Sequence, residues 1–217
     1  MENSHIAAIE QAIENAYKEQ SKLTPEVLAL EGMNSPKVRH LLNNLGAIST
    51  GYFEIGSWKG ASFCSTMVGN KNLVGLANDD FSEFDKNKEA QIKFLESAQA
   101  LIEESNWVLV TENCWKLKDL QYVVLGNFVP DLYFFDGNHS EESHKQAVVQ
   151  FFPMMADRFV FVVDDFGKEG SGFHQVQTGT RKGLEFMSKQ YRVVKEWELP
   201  KSDGFWEGIG IFLIERI

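Results

Sequence analysis

The chain has 217 residues, 43% of them apolar and 12% aromatic with 17 Phe, which supplies a sizeable core and excludes a disordered polypeptide. A net charge of −10 excludes nucleic acid and anionic membrane surfaces as general partners, while leaving room for a cation in a local acidic site. No apolar run approaches the ~20 residues of a membrane span, the N-terminus M-E-N-S-H-I-A-A lacks signal-peptide blocks, and Cys64 and Cys114 show no C-x-x-C spacing. Together these point to a cytoplasmic protein with reduced thiols.

Ile6, Ile9, Ile13 and Tyr17 recur at helical spacing over residues 4–19. Thr24-Pro25-Glu26 reads as a helix start with Thr at the N-cap, and Ser35-Pro36 repeats the signal ahead of Val38, Leu41, Leu42 and Leu45. His40 lies beside that stripe and is read as structural. Residues 1–46 thus form a helical extension, and 47–217 the main domain. The apolar face of the extension also offers a dimer contact.

Gly51–Gly56 is a short strand followed by Ser57-Trp58-Lys59-Gly60-Ala61-Ser62 and a helix over Phe63–Val68. A strand, a glycine turn and a helix start expose backbone N–H groups to which a carboxylate or phosphate can dock. The spacing E-x-G-x-x-x-G, beginning at Glu54, differs from the dinucleotide fingerprint G-x-G-x-x-G. The next strand, Leu73–Ala77, ends in Asn78-Asp79-Asp80, with Asp79 following Gly56 by 23 residues. An acid at that distance, at the second strand's tip, is placed to accept ribose hydroxyls. The two features call for a nucleoside-containing ligand. A helix over Asp85–Glu104 leads to a third strand, Trp107–Thr111, and Glu112-Asn113-Cys114-Trp115 at its end is where a base would lie. Leu117–Leu125 reads as a short helix and Gly126–Pro130 as a loop.

Two β-rich runs, Leu132–Phe135 and Phe159–Val163, each stop at acid: Asp136 after the first, Asp164 and Asp165 after the second. Buried parallel strands read as unbroken apolar runs, and open α/β sheets bind ligands outside the strands' carboxyl ends. If the strands are neighbours, three carboxylates and His139 converge on one rim. Between them Glu141–Phe152 is a helix carrying His144, read as structural. A glycine-rich loop containing His174 follows Asp165, a helix is marked by Leu184, Phe186 and Met187, and Arg192–Leu199 and Gly208–Glu215 form a closing antiparallel hairpin.

From about Ser35 onward the chain resembles the class I S-adenosylmethionine-dependent methyltransferases. Y-F-E-I-G-S-W-K-G-A-S is similar to that family's first motif, although Ser57-Trp58-Lys59 stands where many members have another glycine. The resemblance implies a Rossmann-like, doubly wound α/β fold: a mostly parallel seven-stranded sheet with an antiparallel C-terminal strand and helices on both faces. It implies S-adenosylmethionine as cofactor, held by Glu54, Gly56, Ser57, Gly60, Ser62, Asp79, Asn113 and Asp136. D-G-N-H and V-D-D-F further resemble the metal-dependent O-methyltransferases, including the branch acting on macrolide sugars. On that likeness Asp136, Asp164 and Asp165 are ligands of Mg²⁺ (or Mn²⁺), His139 is the general base, and the partner is a small hydroxylated acceptor, a sugar or a phenol. Two other readings stand beside it: a nicotinamide-dependent oxidoreductase, opposed by the glycine spacing and by an expected lack of a Tyr-x-x-x-Lys pair, and a nucleoside-binding protein of the same fold without catalysis.

Overall fold

A computed structural model describes residues 2–83, 88–103, 106–117, 128–167 and 173–217. The chain divides into two compact units, Met1–Leu117 and Lys118–Ile217, and its seven strands make a mixed sheet. Among the described residues no helix is long and apolar enough to cross a membrane.

The first unit opens with α1 (Glu2–Tyr17), α2 (Pro25–Leu28) and α3 (Pro36–Gly46). The apolar stripes expected from periodicity are buried: Ile9, Ala12, Ile13 and Ala16 on α1, and Val38, Leu41, Leu42 and Leu45 on α3. Ser35 caps α3 by accepting from the Val38 N–H at 3.4 Å. Thr24 does not cap α2; its hydroxyl turns to Glu26 at 3.3 Å. With no cap and four residues, α2 is a single turn, shorter than the Thr-Pro-Glu signal suggests. His40 is buried with Nδ1 2.8 Å from the Ser21 hydroxyl, a structural position.

Strands β1 (Gly51–Ile55), β2 (Val74–Asn78) and β3 (Trp107–Val110) run parallel in the order β3-β2-β1. Between them lie α4 (Ala61–Met67) and α5 (Glu89–Leu101). Asn43 of α3 donates to the Ser65 and Val68 carbonyls at 2.7 and 2.9 Å, which ties the helical extension to α4. The helix expected over Leu117–Leu125 falls almost wholly outside the described residues.

The second unit contains β4 (Leu132–Phe135), α6 (Glu141–Phe151), β5 (Arg158–Val163), α7 (His174–Phe186), β6 (Tyr191–Leu199) and β7 (Ile209–Arg216). Its strand order is β4-β5-β7-β6, with β4 and β5 parallel and β7 antiparallel to both neighbours, as the closing hairpin required. β4 is buried throughout and β5 from Phe159 onward, which is why they read as unbroken apolar runs rather than alternating ones. Tyr133 stacks on Phe161 at 4.9 Å, and Phe152 meets both Phe159 and Phe161 edge-on. The phenylalanine-rich composition is thus spent on the core. His174 opens α7 and is exposed, so the loop after Asp165 is shorter than its glycine content suggests.

Candidate functional site

In the first unit the register sets the geometry. Ile55 pairs with Asn78, and Asn78 with Val110, so Gly56 and Asp79 leave the strands side by side. The turn that follows is wired internally. The Asn78 carbonyl accepts from the Gly56 and Ser57 N–H groups at 2.9 and 3.4 Å, and Gly60 donates to the Ser57 carbonyl at 2.7 Å. Asp79 accepts from the Trp58 N–H through Oδ2 and from the Phe81 N–H through Oδ1, both at 2.7 Å. Four of the turn's N–H groups are therefore engaged, where the sequence reading left them open for a ligand. A carboxylate oxygen has more than one acceptor site, so Asp79 retains capacity for a ribose hydroxyl.

Gly60 is required by the fold itself. Its φ is +84°, and a Cβ there would stand 2.8 Å from the Phe94 ring. Glu54 is fully buried and accepts from the Tyr52 hydroxyl, and from Ser62 at 2.8 Å. Burial pushes its carboxyl up to about 7, against the pull of those two hydroxyls. Glu54 and Ser62 thus lock β1 to the first turn of α4. Asn113 joins the tips of β2 and β3: its amide donates to Asp80 at 3.0 Å while its oxygen accepts from the Trp115 N–H at 3.1 Å. Sequence reasoning passed over Asp80; its adjacency to Asp79 at a strand tip was the available signal. Burial, together with the charge of Asp80, pushes the Cys114 thiol up to about 12, and burial does the same to Cys64, so neither is a nucleophile.

In the second unit Phe135 pairs with Val163, so Asp136 and Asp164 emerge side by side, and Asp164 donates its N–H to the Phe135 carbonyl at 3.1 Å. Ligand atoms of Asp136, His139 and Asp165 lie within 4.8 Å of one another. His139 Nε2 stands 3.0 Å from Asp165 Oδ2, with the imidazole 46% exposed and the carboxylate 8%. Phe173 meets the imidazole edge-on at 5.2 Å. Asp164 lies deeper, 2% exposed, and is linked to Asp136 by a hydrogen bond. Burial and the charge of Asp165 push the Asp164 carboxyl up. The close cluster therefore contains His139 where the sequence reading put Asp164.

These residues suit a divalent cation. Asp164 Oδ1 and Asp165 Oδ1 are buried with no hydrogen-bond partner among the described residues, and hard carboxylate oxygens suit Mg²⁺ or Mn²⁺. Two carboxylates 4 Å apart repel by about 4 kcal/mol at an effective dielectric of 20, which a cation or a proton must offset. His144 does not compete for the role of base. His144 is buried against Phe135, and burial, with a smaller contribution from His139, drives its pKa down to about 3, so it is neutral. The expected lack of a Tyr-x-x-x-Lys pair is corrected by Tyr191 and Lys195, which have that spacing, used by some nicotinamide enzymes. Both lie on β6, where the Tyr191 hydroxyl is spent on the Phe152 carbonyl at 3.1 Å and Lys195 stands over Trp197.

No family model matches the sequence, and no curated protein matches it. Among solved structures the chain is similar to an O-methyltransferase from Bacillus cereus in complex with SAH, with a TM-score of 0.62 at 13% identity over 96% of this chain and 91% of that one. It is similar to the O-methyltransferase TomG from Streptomyces achromogenes, involved in tomaymycin synthesis and bound to SAM, with a TM-score of 0.56, 17% identity and coverage of 96% and 89%. The SAH-bound methyltransferase PaMTH1 of Podospora anserina gives a TM-score of 0.57 at 12% identity, covering 94% and 86%.

Proposed function

We infer that this chain, which has the fold of the class I S-adenosylmethionine-dependent methyltransferases, methylates a hydroxyl of a small molecule, a sugar or a phenol, with a divalent cation at the acidic rim. The observation that carries the reading is the Phe135–Val163 pairing, which delivers Asp136 and Asp164 to one rim beside Asp165 and His139. A carboxylate pair that close is costly in a fold with no use for it.

The division of labour follows the two units. In the first, Asp79 would accept the ribose hydroxyls, the Gly56–Gly60 turn would receive the methionine part, and the Asp80–Asn113 pair would border the base. In the second, Asp136, Asp164 and Asp165 would hold Mg²⁺ or Mn²⁺, which when bound makes a coordinated hydroxyl more acidic. His139 takes the acceptor's proton, and the Asp165 carboxylate 3.0 Å away stabilises the imidazolium that forms. The acceptor oxygen forms its bond to the methyl carbon as the carbon–sulfur bond breaks. S-adenosylmethionine, when bound, would supply the methyl group from its sulfonium and be left as the neutral thioether, and His139 would return the proton to solvent.

The test is methyl transfer from isotopically labelled S-adenosylmethionine to a panel of catechols, simple phenols and deoxysugar glycosides, with Mg²⁺ or with EDTA. Transfer that requires the cation is expected for at least one class. Turnover that persists undiminished in EDTA would remove the cation from the reading.

A further inference from the structure

We propose that Phe166, seated against Gly208 and Gly210 of the β7 hairpin, is the device that aims the Asp165 carboxylate into the rim cluster, making Phe166 and Gly210 positioning residues for the cation. This rests on the cation reading above. Asp165 has φ +53°, the left-handed region that is uncommon for a residue with a side chain and that Asp tolerates better than most. The constraint sits one residue further on. The Phe166 N–H donates to the Gly208 carbonyl at 2.9 Å, and the Gly167 N–H to the Asp165 carbonyl at 2.7 Å.

The Phe166 ring is 4% exposed and lies flat against a strand position that has no side chain. A Cβ on Gly210 would stand 2.8, 2.9 and 3.0 Å from three of its ring carbons, and one on Gly208 would stand 3.1 Å from the Phe166 carbonyl oxygen. Phe212 meets the ring edge-on at 5.6 Å, and the Arg181 guanidinium lies 5.8 Å from its centre. Arg181 is itself held by Glu196 at 2.7 Å and Glu198 at 2.9 Å. The chain thus turns sharply at Asp165 and is pinned at once by a knob in a glycine socket. The result is Asp165 Oδ2 3.0 Å from His139 and Oδ1 buried with no partner among the described residues. Gly210 stands opposite Val163 in the last pair of the β5–β7 ladder, where a glycine within a strand marks a close approach. The close approach here is to the residue after the carboxylate.

The test is Mn²⁺ titration of the full chain by calorimetry, alongside thermal unfolding and binding of S-adenosylhomocysteine. Gly210→Ala should weaken Mn²⁺ binding by about tenfold or more, the range seen when supports of metal ligands are removed, and leave the nucleoside affinity unchanged. Gly183→Ala, whose Cβ would stand 2.7 Å from Val148 in the α6–α7 contact of the same unit, is the control for general disruption and should leave Mn²⁺ affinity unchanged. If Gly210→Ala does not fold, Phe166→Leu, which keeps most of the apolar volume, should weaken Mn²⁺ binding several-fold. Mn²⁺ affinity equal to wild type in both site variants would overturn the proposal, as would an equal loss in Gly183→Ala. A wild-type chain that binds no Mn²⁺ at all would overturn the cation reading and this proposal with it.

Discussion

Glu54→Gln isolates the buried acid beneath the glycine turn. Glu54 carries a carboxyl pushed from 4.5 to about 7 by burial, with the Tyr52 and Ser62 hydroxyls opposing the shift. Because the folded state holds this proton more tightly than the unfolded chain does, its stabilising contribution is fully present below pH 4.5 and is lost as pH rises through about 7. The displacement corresponds to about 3 kcal/mol, or roughly 6–12 °C in Tm for a chain of this length. The amide of Gln fills the same space and never ionises, and the two hydroxyls can rotate to serve it as donor or acceptor. Thermal unfolding of both proteins at pH 5, 6, 7 and 8 should show Glu54→Gln gaining on wild type by several degrees from pH 5 to pH 8. Other titrating groups cancel in the difference. A gap between the two proteins that stays constant across this range would refute the assignment of a raised, buried carboxyl.

Four further perturbations test the remaining parts. His139→Ala should lower methyl-transfer turnover by about 10²–10⁴ with nucleoside affinity unchanged; a loss below tenfold in steady-state kinetics would remove His139 from the proton transfer. Asp79→Asn turns an amide toward the Trp58 or Phe81 N–H, at a cost of about 1–3 kcal/mol. Calorimetry should show weaker S-adenosylhomocysteine binding, and an unchanged affinity would place the ribose elsewhere. Asp164→Asn replaces a buried carboxyl whose ionisation is already disfavoured by burial and by the charge of Asp165 with a neutral side chain of the same shape. In EDTA the variant should be at least as stable as wild type, while cation-dependent turnover disappears and nucleoside affinity holds. Gly60→Ala combines a left-handed backbone with a Cβ 2.8 Å from Phe94 and should cost about 2–3 kcal/mol in thermal or urea unfolding; a cost near zero would mean that the turn relaxes freely.

Much of the fold was legible because burial on both faces leaves an unmistakable trace. Leu132–Phe135 and the run from Phe159 read as central strands for that reason, and their acidic ends located the rim. The place of Asp79 at the tip of β2, beside Gly56, was legible from their separation in the chain. What sequence did not show was how the backbone turns after each strand. The left-handed φ of Asp165 carries its carboxylate to His139 and leaves Asp164 deeper beside Asp136, an exchange of neighbours that spacing in the chain does not reveal. In the same way, Asn78 and Asp79 consume N–H groups that the motif alone leaves free, since their acceptors lie more than 20 residues further along the chain. Glu54 reads as a ligand by motif but is committed inside, because Tyr52 two residues earlier shares its face of the strand. His174 was read into a loop because glycine content signals turns, whereas α7 buries Val176, Gly179, Thr180 and Gly183 and tolerates its glycines through close packing.

The central claim is that the chain binds the methyl donor's nucleoside together with a divalent cation. Calorimetric titration of the full chain with S-adenosylhomocysteine, followed by Mn²⁺, tests it most directly. The account predicts one nucleoside site and one cation site per chain, with the cation site lost in Asp165→Asn and the nucleoside site retained. A chain that takes up no S-adenosylhomocysteine, with or without Mn²⁺, would contradict it.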